Sequence, residues 1–483
     1  MLETSWLRPA LWWLFLITAA RVISLHFATA DIFVDEAQYW FWGQDLAFGY
    51  YSKPPMIGWV IRLSVELGGS DAPFWIRLPG PLLHAVTALI LGAITARYIG
   101  YRAAIVTCLG YATLPMVALG SFLISTDTVM FPFLAGALYC YLRSFDEVDT
   151  KRWLVGAGVL LGLAFLSKYA ALYFVLMASI AAFFFQTYRP SARKAGIILG
   201  YFLLTISPNI VWNLVNGFST LQHTLDNADW VRDPGTRVGL NAGGLFEFLL
   251  SQFMVFGPVL FVALLILSWR ALRGGLTLFQ VFLLLFSVPI ILIVCIQAFL
   301  SEAYANWAAA AYLAGSAAVL PFLLDRLGWL KASFIVNGSF CILIPILAIF
   351  AGSLRFGGDR LIMARYAGLD ELSEQIFRVA EANDQTVIVA HNRDILADLF
   401  YTGRDNPYQI FAAPYEGRPP HHYAMNHSFN ASPDTLSALY IVQQGDPIPC
   451  DNEQVSAIEM DFGNYRGKTY TVHLIPADCW EQR

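Results

Sequence analysis

Charge is scarce in this chain. Only 13% of its 483 residues are Asp, Glu, Lys or Arg, while 57% are hydrophobic; soluble domains carry about 25% charge. With a mean hydropathy of +0.56, the composition is that of a polytopic membrane protein. There is no basic domain or stripe and the net charge is only -5, so nucleic acid is not an expected partner. The N-terminus has neither a strongly basic start nor a clear small-residue cleavage site, so its first apolar run reads as an uncleaved span rather than a signal peptide. The polar C-terminal part lacks a nucleotide-binding glycine pattern and any metal-ligand spacing. Cysteine is sparse and unevenly placed. Cys108, Cys140, Cys295 and Cys341 lie inside apolar runs and read as small buried hydrophobes. Cys450 and Cys479 lie in the polar part and are available for a disulfide if that part is extracytoplasmic; the sequence leaves their pairing open.

Long apolar runs are what the chain does have. A span needs about 20 predominantly apolar residues. Candidate runs are 10–29, 74–96, 103–121, 128–142, 153–167, 169–187, 195–213, 245–269, 277–300, 303–324 and 332–353, about eleven helices by that length rule. Basic residues set the expected orientation. Arg8 precedes the first run, and the pairs Arg97 and Arg102, Lys151 and Arg152 (with Arg143), Arg193 and Lys194 (with Arg189), Arg270 and Arg273, and Arg326 and Lys331 fall in alternate connections. These connections are therefore expected in the cytoplasm with the N-terminus, and the C-terminal part outside.

Segment 54–69 tests this register. It is apolar but short, and carries Arg62 and Glu66; as a span it would invert every later loop. It fits an amphipathic helix lying in the interface, and 35–46 reads as a second one with Tyr and Trp at headgroup depth. The outer connections are then 30–73, the turns near Asp127 and Lys168, the loop 214–244, the turn Ser301–Trp307 and everything after 353. Nearly all ionisable residues at membrane depth collect on that one side, which marks it as functional. The expected domains are 1–353, a membrane domain with interfacial helices in 30–73, and 354–483, a small extracytoplasmic α/β domain. In the latter, 369–382 and 393–400 have helical spacing, and 386–390, 408–412, 438–442 and 469–475 read as strands. His421-His422 lacks the spacing of a helical metal site and, beside Pro419-Pro420, reads as a surface loop.

The most unusual stretch is Val34–Ile57, VDEAQYWFWGQDLAFGYYSKPPMI. It opens on Asp35 and Glu36. Adjacent helical residues point about 100° apart, so Asp35 is the candidate catalytic carboxylate and Glu36 a supporting residue at the helix start, where a negative charge is favoured. Both also fit as plain helix-start acids. Lys53, stiffened by Pro54 and Pro55, is a fixed cation suited to a phosphate, or a snorkelling lysine. Asp127 and Lys168 each flank an apolar run and fit either a site or a structural ion pair. Glu302 and Asn306 recur at i, i+4 and could share one face of a helix start. Arg77 could bind an anionic headgroup or pair with Asp127. His223, in the loop 214–244, reads as structural or solvated.

The order Asp-Glu, Tyr-Trp, Gly-Tyr-Tyr-Ser-Lys-Pro-Pro-Met, Trp-Ile-Arg-Leu-Pro, Ser-Thr-Asp and Gly-Leu-Ala-Phe-Leu-Ser-Lys-Tyr resembles bacterial family 39 and 83 glycosyltransferases. These include protein O-mannosyltransferase-like enzymes and the transferase that adds aminoarabinose to lipid A. The resemblance covers about the first 350 residues, and Glu302…Asn306-Trp307 resembles a glycolipid-modifying subset. It implies a C-type membrane fold and inverting transfer of a sugar from a polyprenyl-phosphate donor on the outer face of the bacterial inner membrane. The implied acceptor is a hydroxyl of lipid A, its core or another surface glycan, with protein as the alternative. It makes Asp35 the general base and Lys53 the phosphate ligand, with Asp127, Lys168 and Arg77 around the cavity. No nucleotide is required by this chemistry; a divalent cation is the one cofactor left open, since some C-type relatives use one and others do not. A lipid or glycan transporter is the competing class. It needs a binding site near the bilayer midplane, whereas the charges here gather at one face.

Overall fold

The computed structural model describes residues 6–146, 150–227, 240–430, 437–448, 450, 452–476 and 479. The chain divides into two compact units: Met1–His26 with Lys53–Val60 and Arg77–Pro345, and Phe27–Ser52 with Ile61–Ile76 and Ile346–Arg483. This differs from the boundary at 353 expected from composition. Most of the first interfacial loop belongs to the same unit as the C-terminal sheet, because its side chains are packed there.

The first unit is helical. Each expected apolar run coincides with helix, but they are not equivalent. Among the described residues, five helices are long and apolar enough to cross a membrane: Leu7–His26, Pro73–Tyr98, Ala192–Val215, Leu278–Leu300 and Leu327–Ile349. A sixth candidate, 245–269, is broken. Helices Ala242–Val255 and Pro258–Leu272 meet at 111°. Gly257 causes the break: its φ is +89°, and a Cβ there would stand 2.1 Å from Asn337 Oδ1, while Pro258 starts the next helix. Close packing elsewhere uses small residues, as is usual between apolar helices. Helix Lys151–Ser167 lies against Ala192–Val215 at Gly158, where a Cβ would come within 2.5 Å of the Ile198 carbonyl oxygen.

The connections assigned to one face meet one another. Arg97 Nε is 3.4 Å from Asp146 Oδ2, and Tyr98 donates to the same oxygen at 2.6 Å. Lys194 Nζ donates to the Ser144 carbonyl at 2.9 Å, and the Arg270 guanidinium covers the Phe322 ring at 5.2 Å. At the other ends of these helices, Arg21 is buried, and its guanidinium donates to the Ala112 carbonyl at 2.6 Å. This satisfies an orphan carbonyl at the end of helix Tyr101–Ala112.

The second unit holds a five-stranded mixed sheet. Strands β1 (Val387–Ala390), β2 (Gln409–Ala412), β3 (Ser437–Gln443), β4 (Glu453–Glu459) and β5 (Thr469–Pro476) run in the order β2-β1-β3-β5-β4. β1 pairs in parallel with β2 and β3; β5 pairs antiparallel with β3 and β4. Alternation puts Val387, Val389, Ala438, Tyr440 and Val442 into one apolar cluster with Cys479, and Cys450 and Cys479 are disulfide-bonded. β4 has no counterpart among the expected strands. Its sequence EQVSAIE is polar because it is an edge strand, with a bulge between Gln454 and Ser456; edges are commonly protected in this way.

Candidate active site

Both segments expected to lie in the interface are helical, over Val34–Gln44 and Met56–Gly68. In the second unit, Asp35 and Glu36 take separate tasks. Glu36 is 1% exposed, and its Oε2 accepts the Phe33 backbone N–H at 3.1 Å, capping the helix start. Asp35 is half-exposed, and its Oδ1 accepts from Arg393 Nη2. Arg393 Nε also donates to Gln38 Oε1 at 2.7 Å. Burial alone would lower the pKa of the Arg393 guanidinium; the Asp35 charge, its hydrogen bond and Asp394 outweigh that and raise it. Arg393 lies 358 residues from Asp35, and no local pattern marks it as functional.

The aromatics of the same stretch are mostly interior. Tyr39, Trp40, Trp42, Tyr50 and Tyr51 are all buried. Trp42 stacks on Tyr50 at 4.8 Å. Trp40 lies edge-on to Tyr401 at 5.1 Å, and its Nε1 donates to Asp71 Oδ1 at 2.7 Å. Phe41 packs on Phe400 at 4.5 Å. The Tyr51 hydroxyl donates to the Pro419 carbonyl at 2.9 Å. Phe48 is exposed.

The expected surface loop at His421-His422 is corrected by the same packing. Both histidines are buried, and His422 meets Trp42 edge-on at 5.6 Å. Burial, reinforced by His427 and His421, pushes its pKa down to about 3. A neutral His422 Nδ1 then accepts from Asn426 Nδ2 at 3.1 Å.

In the first unit, Asp127, Lys168 and Asn306 come together. Lys168 Nζ donates to both Asp127 oxygens at 2.8 and 2.7 Å, and Asn306 Nδ2 donates to Oδ2 at 2.9 Å. Next to Lys168, the Tyr169 hydroxyl bonds Asn209 Oδ1 at 3.1 Å and accepts from Asn213 Nδ2 at 3.3 Å. Arg77 ends the short first segment, Pro73–Arg77, of the span Pro73–Tyr98 and is 2% exposed. Lys53 is half-buried, and Pro54 and Pro55 precede helix Met56–Gly68. Glu302 is exposed and lies ahead of the 3-10 turn Ala305–Ala308. It therefore does not share a helical face with Asn306. His223 lies in helix Ser219–Asn227; residues 228–239 of that expected loop lie outside the described residues. Among the described residues no group of three or more His, Cys, Asp or Glu could hold a metal ion.

The architecture is that of a membrane glycosyltransferase of the C-type fold. It superposes on the crystal structure of ArnT from Cupriavidus metallidurans in the apo state with a TM-score of 0.65 at 11% identity, over 98% of this chain and 99% of that one. With the same enzyme bound to undecaprenyl phosphate the TM-score is 0.62 at 13% identity, over 97% and 98%. A family model described as dolichyl-phosphate-mannose-protein mannosyltransferase matches residues 52–212. In sequence, the chain is 38% identical to the lipid A galacturonosyltransferase RgtD of Rhizobium johnstonii over 469 residues, 96% of this chain and 97% of that protein. It belongs to the family of that glycosyltransferase. It is also 28% identical over 209 residues to the lipopolysaccharide core galacturonosyltransferase RgtB of the same organism, 41% of this chain and 42% of that one. The likeness therefore extends past residue 350 through the C-terminal sheet.

Proposed function

We propose that this protein moves a galacturonic acid residue from a polyprenyl-phosphate donor to a hydroxyl of lipid A on the outer face of the bacterial inner membrane. The observation that carries the reading is the 38% identity to a lipid A galacturonosyltransferase along nearly the whole chain. The likeness to RgtB makes the same sugar class the natural choice. The fold likeness to an enzyme crystallised with undecaprenyl phosphate supports the donor class. The cytoplasmic N-terminus and outer C-terminal unit rest on positive charge. Contacts among the connections carrying Arg97, Asp146, Lys194 and Arg270 support their common face.

In this reading Asp35 takes the proton from the acceptor hydroxyl. The oxygen attacks the anomeric carbon from the side opposite the phosphate. The carbon–oxygen bond to phosphate breaks, and its electron pair leaves with the polyprenyl phosphate. That leaving group needs no protonation, only stabilisation of developing negative charge. Lys53 and Arg77 are the cations assigned to it. Glu36 supports the Asp35 helix, and Asp127, Lys168 and Asn306 form the polar substrate-binding set, with Glu302 as its exposed outer member.

The test is reconstitution in liposomes with lipid A and polyprenyl-phosphate galacturonic acid. One uronosyl group should be added to lipid A, and a nucleotide sugar alone should add none. Transfer from the nucleotide sugar without the lipid donor, or transfer to protein alone, would overturn the reading.

A further inference from the structure

Asp35 and Gln38 stand three residues apart on helix Val34–Gln44, and so share one face. One guanidinium engages both: Arg393 Nη2 donates to Asp35 Oδ1, and Arg393 Nε donates to Gln38 Oε1 at 2.7 Å. A guanidinium is planar with its donors in a fixed fork. Held at Gln38 as well as at Asp35, it presents its donor from a fixed position and so sets the place of Asp35 Oδ1.

The base of this grip is rigid. Arg393 is the first residue of helix Arg393–Thr402, which follows β1 after His391 and Asn392. The Asn392 side chain accepts the Asp394 backbone N–H at 2.7 Å, which caps the helix. The same helix is anchored to Val34–Gln44 by Phe41 on Phe400 and Trp40 on Tyr401. Both partners of the ion pair are thus seated on packed helices, unlike a pair of free surface side chains.

The pair is half-exposed on both sides, and exposed ion pairs contribute little to stability. Its consequence is orientation. Arg393 occupies Oδ1; among the described residues no hydrogen bond to Asp35 Oδ2 is present. One oxygen is held and the other is left for a proton.

We infer that Arg393, supplied by the C-terminal sheet unit, is the positioning residue for the general base Asp35. This rests on the assignment of Asp35 as base. It gives the C-terminal part of the chain, residues 346–483, a part in catalysis: the β1-to-helix turn sets the geometry of a carboxylate that lies in the same unit but far away in sequence.

The experiment compares kcat and donor KM for the full-length protein in detergent or liposomes, corrected for folded fraction by gel filtration. Misplacement of a reacting group by about 1 Å costs on the order of 10²-fold. Arg393→Ala is therefore expected to lower kcat by about 10- to 100-fold while leaving donor KM within about threefold, and added guanidinium ion should restore part of the lost kcat. Arg393→Lys keeps the charge but not the fork. It should also lose kcat, and added guanidinium should not help it. If Arg393→Ala fails to fold, the lysine variant carries the test. Wild-type kcat in Arg393→Lys, or a loss confined to donor KM, would overturn the inference. Asp35→Asn separates the two levels. Full activity there removes the base assignment itself, whereas an inactive Asp35→Asn beside a fully active Arg393→Ala removes only the positioning role.

Discussion

Lys168 Nζ lies 2.8 and 2.7 Å from the two carboxylate oxygens of Asp127, 41 residues away in sequence. The Asp127 side chain is 9% exposed, so removing the cation strands a buried charge. Breaking such a pair costs about 3–5 kcal/mol. Here Lys168 keeps some solvent contact, and the lower end of that range is expected. Lys168→Met should lower the unfolding temperature of the detergent-solubilised protein, and Asp127→Asn added to it should recover most of the loss. A Lys168→Met protein as stable as wild type would contradict the buried pair.

The aromatics between Asp35 and Lys53 are assigned to packing by the structure. Trp42 is 1% exposed, whereas Phe48 is 51% exposed. Trp42→Ala should destabilise the second unit by about 3–5 kcal/mol through lost burial and a residual cavity. Phe48→Ala should stay within about 0.5 kcal/mol. Chemical denaturation followed by tryptophan fluorescence and by a probe on the C-terminal unit separates these outcomes.

His422 gives the second unit a pH dependence. Its folded pKa of about 3 lies below the ordinary value of 6.5. The unfolded chain therefore binds the proton more readily, and stability rises with pH across that window. The contribution is fully present above pH 6.5 and is lost progressively as pH falls towards 3. Melting temperatures from pH 7 to 5 should fall less steeply for His422→Phe than for wild type. Parallel slopes would show that His422 does not titrate on unfolding.

The Cys450–Cys479 disulfide closes a separation of 29 residues. A loop of that size corresponds to about 3–4 kcal/mol of stabilisation in the chain-entropy account. Cys450→Ser with Cys479→Ser should lower the stability of the second unit accordingly. In protein taken directly from membranes, a thiol reagent should label these cysteines only after reduction, because an outer compartment is oxidising. Labelling without reduction would place the unit in the cytoplasm.

Much of this was legible from residue order. Apolar runs show as helices because burial in lipid demands continuous apolar sequence. Asp127 and Lys168 stood out because charges at membrane depth are rare, and their meeting with Asn306 makes that cost intelligible. The sheet was legible in β1, β2, β3 and β5, whose runs are apolar, and illegible in β4, an edge strand with polar side chains. Three features lay beyond local pattern. Arg393 reads as a common helix-start residue until the fold brings it to Asp35. His421 and His422 look solvated beside two prolines until Trp42 and Tyr50 cover His422 and the His391 carbonyl and Tyr423 meet His421. The 111° break at Gly257 sits inside a run that composition alone treats as one span. The shared helical face of Glu302 and Asn306 is missing for a different reason: i, i+4 spacing places two residues together only on an α-helix, and the chain there has not yet entered one.

The measurement that tests the central claim most directly is the mass of lipid A from a strain deleted for this protein and complemented with wild type or Asp35→Asn. Wild type should restore the mass of one added hexuronosyl residue, and Asp35→Asn should leave lipid A at the deletion mass although the variant is present in membranes. Unchanged lipid A on deletion, or full restoration by Asp35→Asn, would contradict the account.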